Sequence, residues 1–147
     1  ASGINDAAAF LVLADAAKAA SAGQKPIARL VSYAIAGVPN EIMGEGPIPA
    51  TKLALQRAGL KLDQIDVIES NEAFAAQSIT VNRALDLDTA KVNPNGGAIA
   101  LGHPVGATGS VIITKLLHEL IRTNGRYGIA TMCIGGGQGI TTIWERV

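Results

Sequence analysis

Apolar and polar positions alternate along this chain in patterns that predict a series of short strands and helices. Residues 7–14 (AAAFLVLA) form an uninterrupted apolar run of strand length, which predicts a strand buried on both faces. Asp15 follows at the N-cap of an alanine-rich helix that stops near Ala22-Gly23. Residues 26–37 (PIARLVSYAIAG) carry β-branched residues and a rough alternation of polarity, which predicts a second strand. Residues 38–46 are expected to be a loop. Pro47 and Pro49 then open a helix that ends at Gly59, proline inside the start and glycine past the end.

The second half repeats the scheme with more glycine. Residues 65–69 (IDVIE) predict a short strand, and Asn71 stands at the N-cap of a helix over about 72–85. A helix over about 106–123 places Ile113, Leu116, Leu117, Leu120 and Ile121 on one apolar stripe, and Asn124-Gly125 ends it. Residues 127–133 and 140–145 predict two strands joined by a turn unusually rich in glycine. The order β-α-β-α-β-α-loop-α-β-β implies one α/β domain, residues 1–147: a mixed five-stranded sheet with helices on both faces.

Composition narrows the function classes. Lys+Arg and Asp+Glu number 12 each with no run of either sign, so nothing supports a nucleic-acid footprint. Hydrophobic residues make up 48% but aromatics only 3%, a mix suited to tight helix-on-sheet layers. The single cysteine excludes an internal disulfide and fits a reducing compartment. No apolar stretch has the length of a membrane span, so no membrane partner is expected and the chain is expected to be cytoplasmic. It opens on Ala1-Ser2-Gly3 without an initiating methionine, and we expect an N-terminal truncation.

The candidate chemistry gathers at strand and loop ends. His103 lies within Gly102-His103-Pro104-Val105-Gly106-Ala107-Thr108-Gly109, where glycines allow close approach and Pro104 fixes the turn. The loop runs into a helix N-terminus, where free N–H groups favour an anion. His103 thus reads either as a presented imidazole or as the cap of a tight turn. Asn71 reads as a helix cap or a binding amide, Cys133 as a small buried hydrophobe or a reactive thiol. Glu72 is a first-turn acid, Met43 loop packing or the adaptable wall of an acyl pocket, and His118, inside a helix, is given no role. Gly109-Ser110 lacks the lysine of a P-loop, and the 135–139 glycine run precedes a strand rather than the helix of a dinucleotide fingerprint. No Cys/His spacing supports a metal site.

Together, Asn71-Glu72-Ala73-Phe74-Ala75, the Gly102–Gly109 stretch and Cys133-Ile134-Gly135-Gly136-Gly137-Gln138-Gly139 closely resemble the signature blocks of the thiolase family. Ser2-Gly3-Ile4-Asn5-Asp6 and Met43-Gly44-Glu45-Gly46-Pro47 match further family segments. The resemblance covers essentially the whole chain but only the C-terminal part of a thiolase. Thr108 stands where serine is common, and Asp6-Ala7-Ala8 stands where many members have Asp-Gly-Ala.

The resemblance implies an acyl-CoA acyltransferase of acetyl-CoA C-acetyltransferase type, or alternatively a medium- or long-chain 3-ketoacyl-CoA thiolase of fatty-acid β-oxidation, whose nucleophilic cysteine lies in an N-terminal half. Cys133 would be the acid/base, and His103 with a water held by Asn71 would form an oxyanion hole. Gly135 N–H would contribute to a second hole. Ser2, Met43 and Phe74 would line the pantetheine and acyl region. Coenzyme A thioesters would be substrates and no cofactor is implied. Partners would be the N-terminal half and further copies, as a homodimer or homotetramer. Two other classes remain from the residues alone: a Cys133–His103 hydrolase dyad, and a non-catalytic oligomerising half.

Overall fold

The computed structural model describes residues 1–147. Its elements are α1 (Ala16–Ser21), β1 (Ala28–Gly37), α2 (Pro47–Ala58), β2 (Val67–Ser70), α3 (Ala75–Ala84), α4 (Ala98–Leu101), α5 (Thr108–Thr123), β3 (Tyr127–Gly135) and β4 (Gln138–Arg146). Most boundaries follow from local chemistry. The Asp15 carboxylate accepts from the Ala17 and Lys18 amides and starts α1. Pro47 opens α2, and Gly59, at φ +65°, closes it in the left-handed conformation. Asn124 does the same for α5 at φ +55°.

The strands form one mixed sheet in the order β1-β4-β3-β2. β1 and β3 both run antiparallel to β4, while β2 runs parallel to β3, with Val67 opposite Gly128 and Ser70 opposite Thr131. Alternation across the strands sends residues to two helical layers. Ile68, Ile129, Ile143 and Ala34 pack with Ala54 of α2 and Val81 of α3 on one face. Val67, Ala130 and Trp144 pack with Ile112, Leu116 and Leu120 of α5 on the other. Leu116 and Leu120 are fully buried, each contributing roughly 1.5–3 kcal/mol by leaving water. The parallel β2–β3 pair, joined by α3, α4 and α5, brings the carboxyl ends of both strands to one edge, where open α/β sheets bind ligands.

Three expectations need correction. The sheet has four strands, not five, because residues 7–14 form no strand. No backbone hydrogen bond from this run reaches another element, and Phe10, Val12 and Leu13 are 90%, 96% and 73% exposed. Apolar content alone does not make a strand; it needs a neighbouring ladder. The predicted stripe of α5 holds at Leu116, Leu117 and Leu120, with Ile113 packed beside them, but it takes in Ile112 and leaves Ile121 half exposed. Finally, the predicted 38–46 loop contains a 3-10 helix, Asn40–Glu45.

Candidate active site

His103 is held on every side. The one-turn helix α4 ends at Gly102, whose φ of +100° turns the chain into the histidine. The His103 N–H donates to the Gly3 carbonyl at 2.7 Å. Its Nδ1 lies 2.7 Å from Thr108 Oγ1, which itself donates to the Pro104 carbonyl at 3.0 Å. A threonine hydroxyl has one proton, so Nδ1 is assigned as the donor to Oγ1, and Nε2 as the bare acceptor. Asn71 Nδ2 lies 3.4 Å from that Nε2. The imidazole thus keeps a basic lone pair facing the amide of Asn71.

Asn71 is 2% exposed, and its N–H donates to the Thr131 carbonyl at 2.9 Å, extending the β2–β3 ladder by one step. It is not a helix cap. α3 starts only at Ala75, with Phe74 in the capping position and no side-chain cap. Glu72 is accordingly no first-turn acid of α3. Its carboxylate accepts from Asn93 Nδ2 at 3.1 Å and from the Ile99 N–H at 3.1 Å, tying the segment after β2 to α4. Asn93 in turn clasps Ser70, accepting from its N–H at 2.9 Å and donating to its carbonyl at 2.8 Å. Ser2 reaches the same stretch: its N–H and hydroxyl both donate to the Ala73 carbonyl, at 3.1 and 3.2 Å.

Cys133 lies near the end of β3, opposite Gly139. The thiol is free and partly buried, and burial pushes its pKa above the ordinary value. Gly136 and Gly137 make the turn into β4 with φ of +58° and +84°, the double positive φ of a tight hairpin. The Gly137 carbonyl accepts from Val38 N–H at 2.7 Å. Gly139 passes so near Gly46 that a Cβ on it would lie 2.1 Å from the Gly46 carbonyl carbon. Gly135 ends β3 just before the turn. Met43, in the 3-10 helix, and Phe74 are 39% and 53% exposed.

Of the sequence-predicted residues, the structure joins Asn71 and His103 by a hydrogen bond and sets Cys133 and Gly135 at the same carboxyl edge. It makes no hydrogen bond between Cys133 and His103, so the dyad of a cysteine hydrolase lacks its defining contact. Sequence reasoning missed Thr108 as the Nδ1 partner and Glu72 as the tie to α4. Nothing local marked either one: Thr108 reads as a first-turn threonine and Glu72 as a first-turn acid. No group of three or more His, Cys, Asp or Glu could hold a metal ion, and no helix is long and apolar enough to cross a membrane.

Comparison with known proteins matches residues 24–146 to the family model described as thiolase, C-terminal domain. The chain is 63% identical over 147 residues to beta-ketothiolase BktB of Cupriavidus necator, and 56% to an acetyl-CoA acetyltransferase of Escherichia coli. It covers 100% of its own length in both but spans only 37% of theirs. Among solved structures, human mitochondrial 3-ketoacyl-CoA thiolase in complex with CoA superposes with a TM-score of 0.88 at 49% identity, over 90% of this chain and 34% of that one.

Proposed function

We propose, from the premise that this chain belongs to the thiolase family as its C-terminal domain, that it carries the proton-transfer and oxyanion half of an acyl-CoA acyltransferase. The reaction is Claisen condensation of an acyl group with acetyl-CoA, or in reverse thiolysis of a 3-ketoacyl-CoA, of acetyl-CoA C-acetyltransferase type. The observation that carries this reading is the Pro104–Thr108–His103–Asn71 chain of hydrogen bonds, which leaves Nε2 as a base beside a buried amide.

In the first half-reaction a cysteine of the N-terminal half attacks the acyl-CoA carbonyl carbon, and Nε2 of His103 takes its proton. The Cys133 thiol, which burial keeps protonated at neutral pH, gives its proton to the departing CoA sulfur. The site is then left with an imidazolium and a Cys133 thiolate. The second half-reaction uses both. The thiolate removes the α-proton of acetyl-CoA while the Nε2–H, with a water held by Asn71, stabilises the enolate oxygen. The enolate carbon bonds to the acyl carbon, and the nucleophilic sulfur leaves and recovers its proton from His103. Charge balances at each step. The N–H of Gly135 joins the second oxyanion hole, and Ser2, Met43 and Phe74 border the pantetheine and acyl channel. The exposed apolar side chains of Phe10, Val12, Leu13 and Ile35 support a covering N-terminal half.

The test is acetoacetyl-CoA cleavage by CoA. The 147-residue chain alone should be inactive, and addition of an N-terminal thiolase half should restore turnover. His103→Ala in the full-length protein should slow both half-reactions. Turnover by the chain alone that vanished with Cys133→Ala would overturn the division of labour.

A further inference from the structure

Next to Asn71 the end of β2, α4 and the first turns of α5 enclose a cavity of about 20 Å³, bordered by Glu69, Asn71, Gly102, Pro104, Thr108 and Lys115. A space of this size holds one water and nothing larger. Three residues at its wall are incompletely bonded: Glu69, Asn71 and Ser70, whose Oγ is sealed without a partner. Glu69 is 1% exposed; its Oε2 accepts from Lys115 Nζ at 2.7 Å, but its Oε1 is sealed and has no partner in the protein. Burial pushes the Glu69 carboxyl up against the opposing pull of Lys115. Asn71 Nδ2 carries two hydrogens, of which one faces His103 Nε2, and the chain offers the other no acceptor. Lys115 also donates to the Gly96 carbonyl, at the start of the stretch that leads to His103.

We propose that one water in this cavity accepts from Asn71 Nδ2 and donates to Glu69 Oε1, making Glu69 and Lys115 a positioning pair for the catalytic amide. The bonding is complementary. The carboxylate oxygen needs a donor, the amide hydrogen needs an acceptor, and a water supplies both. With both Nδ2 hydrogens engaged, the amide cannot flip, and Oδ1 is the atom left to serve the cleft. A single 3.4 Å bond to His103 would not fix it that way. The Lys115 ammonium on Oε2 opposes the upward push of burial and favours the form in which Oε1 accepts. The consequence for catalysis rests on the thiolase reading above; the water tether itself does not.

Two measurements on the full-length protein carrying this chain test it. A high-resolution crystal structure should show density within hydrogen-bonding distance of both Glu69 Oε1 and Asn71 Nδ2; density there for no water overturns the tether, whatever the activity. In the half-reaction assays, Glu69→Gln should slow condensation about tenfold, the loss of one orienting hydrogen bond, and leave acyl-enzyme formation within about twofold of the parent. The same substitution added to Asn71→Ala should cost nothing further, because the two act through one amide. Equal losses in both half-reactions, or full additivity with Asn71→Ala, would show a merely structural role. Should Glu69→Gln fail to fold, the charge-neutral Glu69→Gln/Lys115→Met pair replaces it. An unsubstituted protein without acetoacetyl-CoA thiolysis would instead sink the functional reading, leaving the density to decide the tether.

Discussion

The two residues proposed to react, His103 and Cys133, are placed by different means. His103 is fixed by bonds to its own atoms: its N–H to Gly3, Nδ1 to Thr108 and Nε2 to Asn71, which themselves belong to three separate stretches of sequence. The Cys133 side chain makes no hydrogen bond to another residue; it is carried by the β3–β4 backbone and by glycines that let that backbone turn and press against Gly46. The difference has a chemical sense. An imidazole that must pass a proton and then present it needs a defined tautomer, and hydrogen bonds define one. A thiol that must hold a proton until the leaving group departs needs a half-buried, unbonded environment, and bonds would lower its pKa.

Substitutions can break the comparison at either end. The largest effect is expected from Cys133→Ser in the full-length protein, with condensation falling by about a thousandfold, within the range of general acid–base catalysis. Acyl-enzyme formation should fall much less, because a CoA thiolate leaves tolerably without an acid. Single-turnover measurement of both halves decides it; equal losses would remove Cys133 from the acid/base role. Gly139→Ala should come next, since its Cβ would land on backbone atoms of Gly46 that cannot swing aside. We expect a loss of about 1–3 kcal/mol of stability, read as a fall in Tm, together with lost activity. At Gly136 a Cβ meets nothing within 4 Å, so Gly136→Ala should cost only the strain of its positive φ, about 1 kcal/mol. A Gly139→Ala protein as stable as its Gly136→Ala counterpart would show that the close approach is not needed. The smallest effect on turnover should follow Thr108→Val, which keeps the shape but removes both the acceptor of Nδ1 and the donor to the Pro104 carbonyl. About a tenfold loss in both half-reactions is the expected reading of the orienting bond to Nδ1. Full activity would mean the Asn71 side alone orients the ring.

Elements with a strong local signal were legible in the sequence. Pro47, Gly59 and Asn124 mark helix ends by backbone preference, and the two terminal strands are apolar segments with a glycine turn between them. What failed depended on long-range pairing. Residues 7–14 are as apolar as β3, yet β3 has β2 and β4 on its two sides and residues 7–14 have no ladder. Asn71 and Glu72 look like the start of a helix, but the side chains are engaged at His103, Asn93 and α4, and α3 begins later. The site motifs were visible as sequence because glycine runs around a lone histidine and a lone cysteine are rare. The bonds that orient the histidine were not, since Thr108 differs from an ordinary first-turn threonine only by where its hydroxyl points.

Residues 2–5 touch both halves of the site across very little chain. Ser2 bonds to Ala73, Gly3 accepts from His103, and the Asn5 side chain lies against Gly102. Ala73 and His103 are thirty residues apart along the chain, yet both are fastened to neighbouring residues of one extended piece. That piece acts as a gauge between them. On it the backbone anchors of Ala73 and His103, Ser2 and Gly3, are one residue apart, ~3.5 Å of extended chain, so any movement of this piece would shift the segment after β2 and the imidazole loop together.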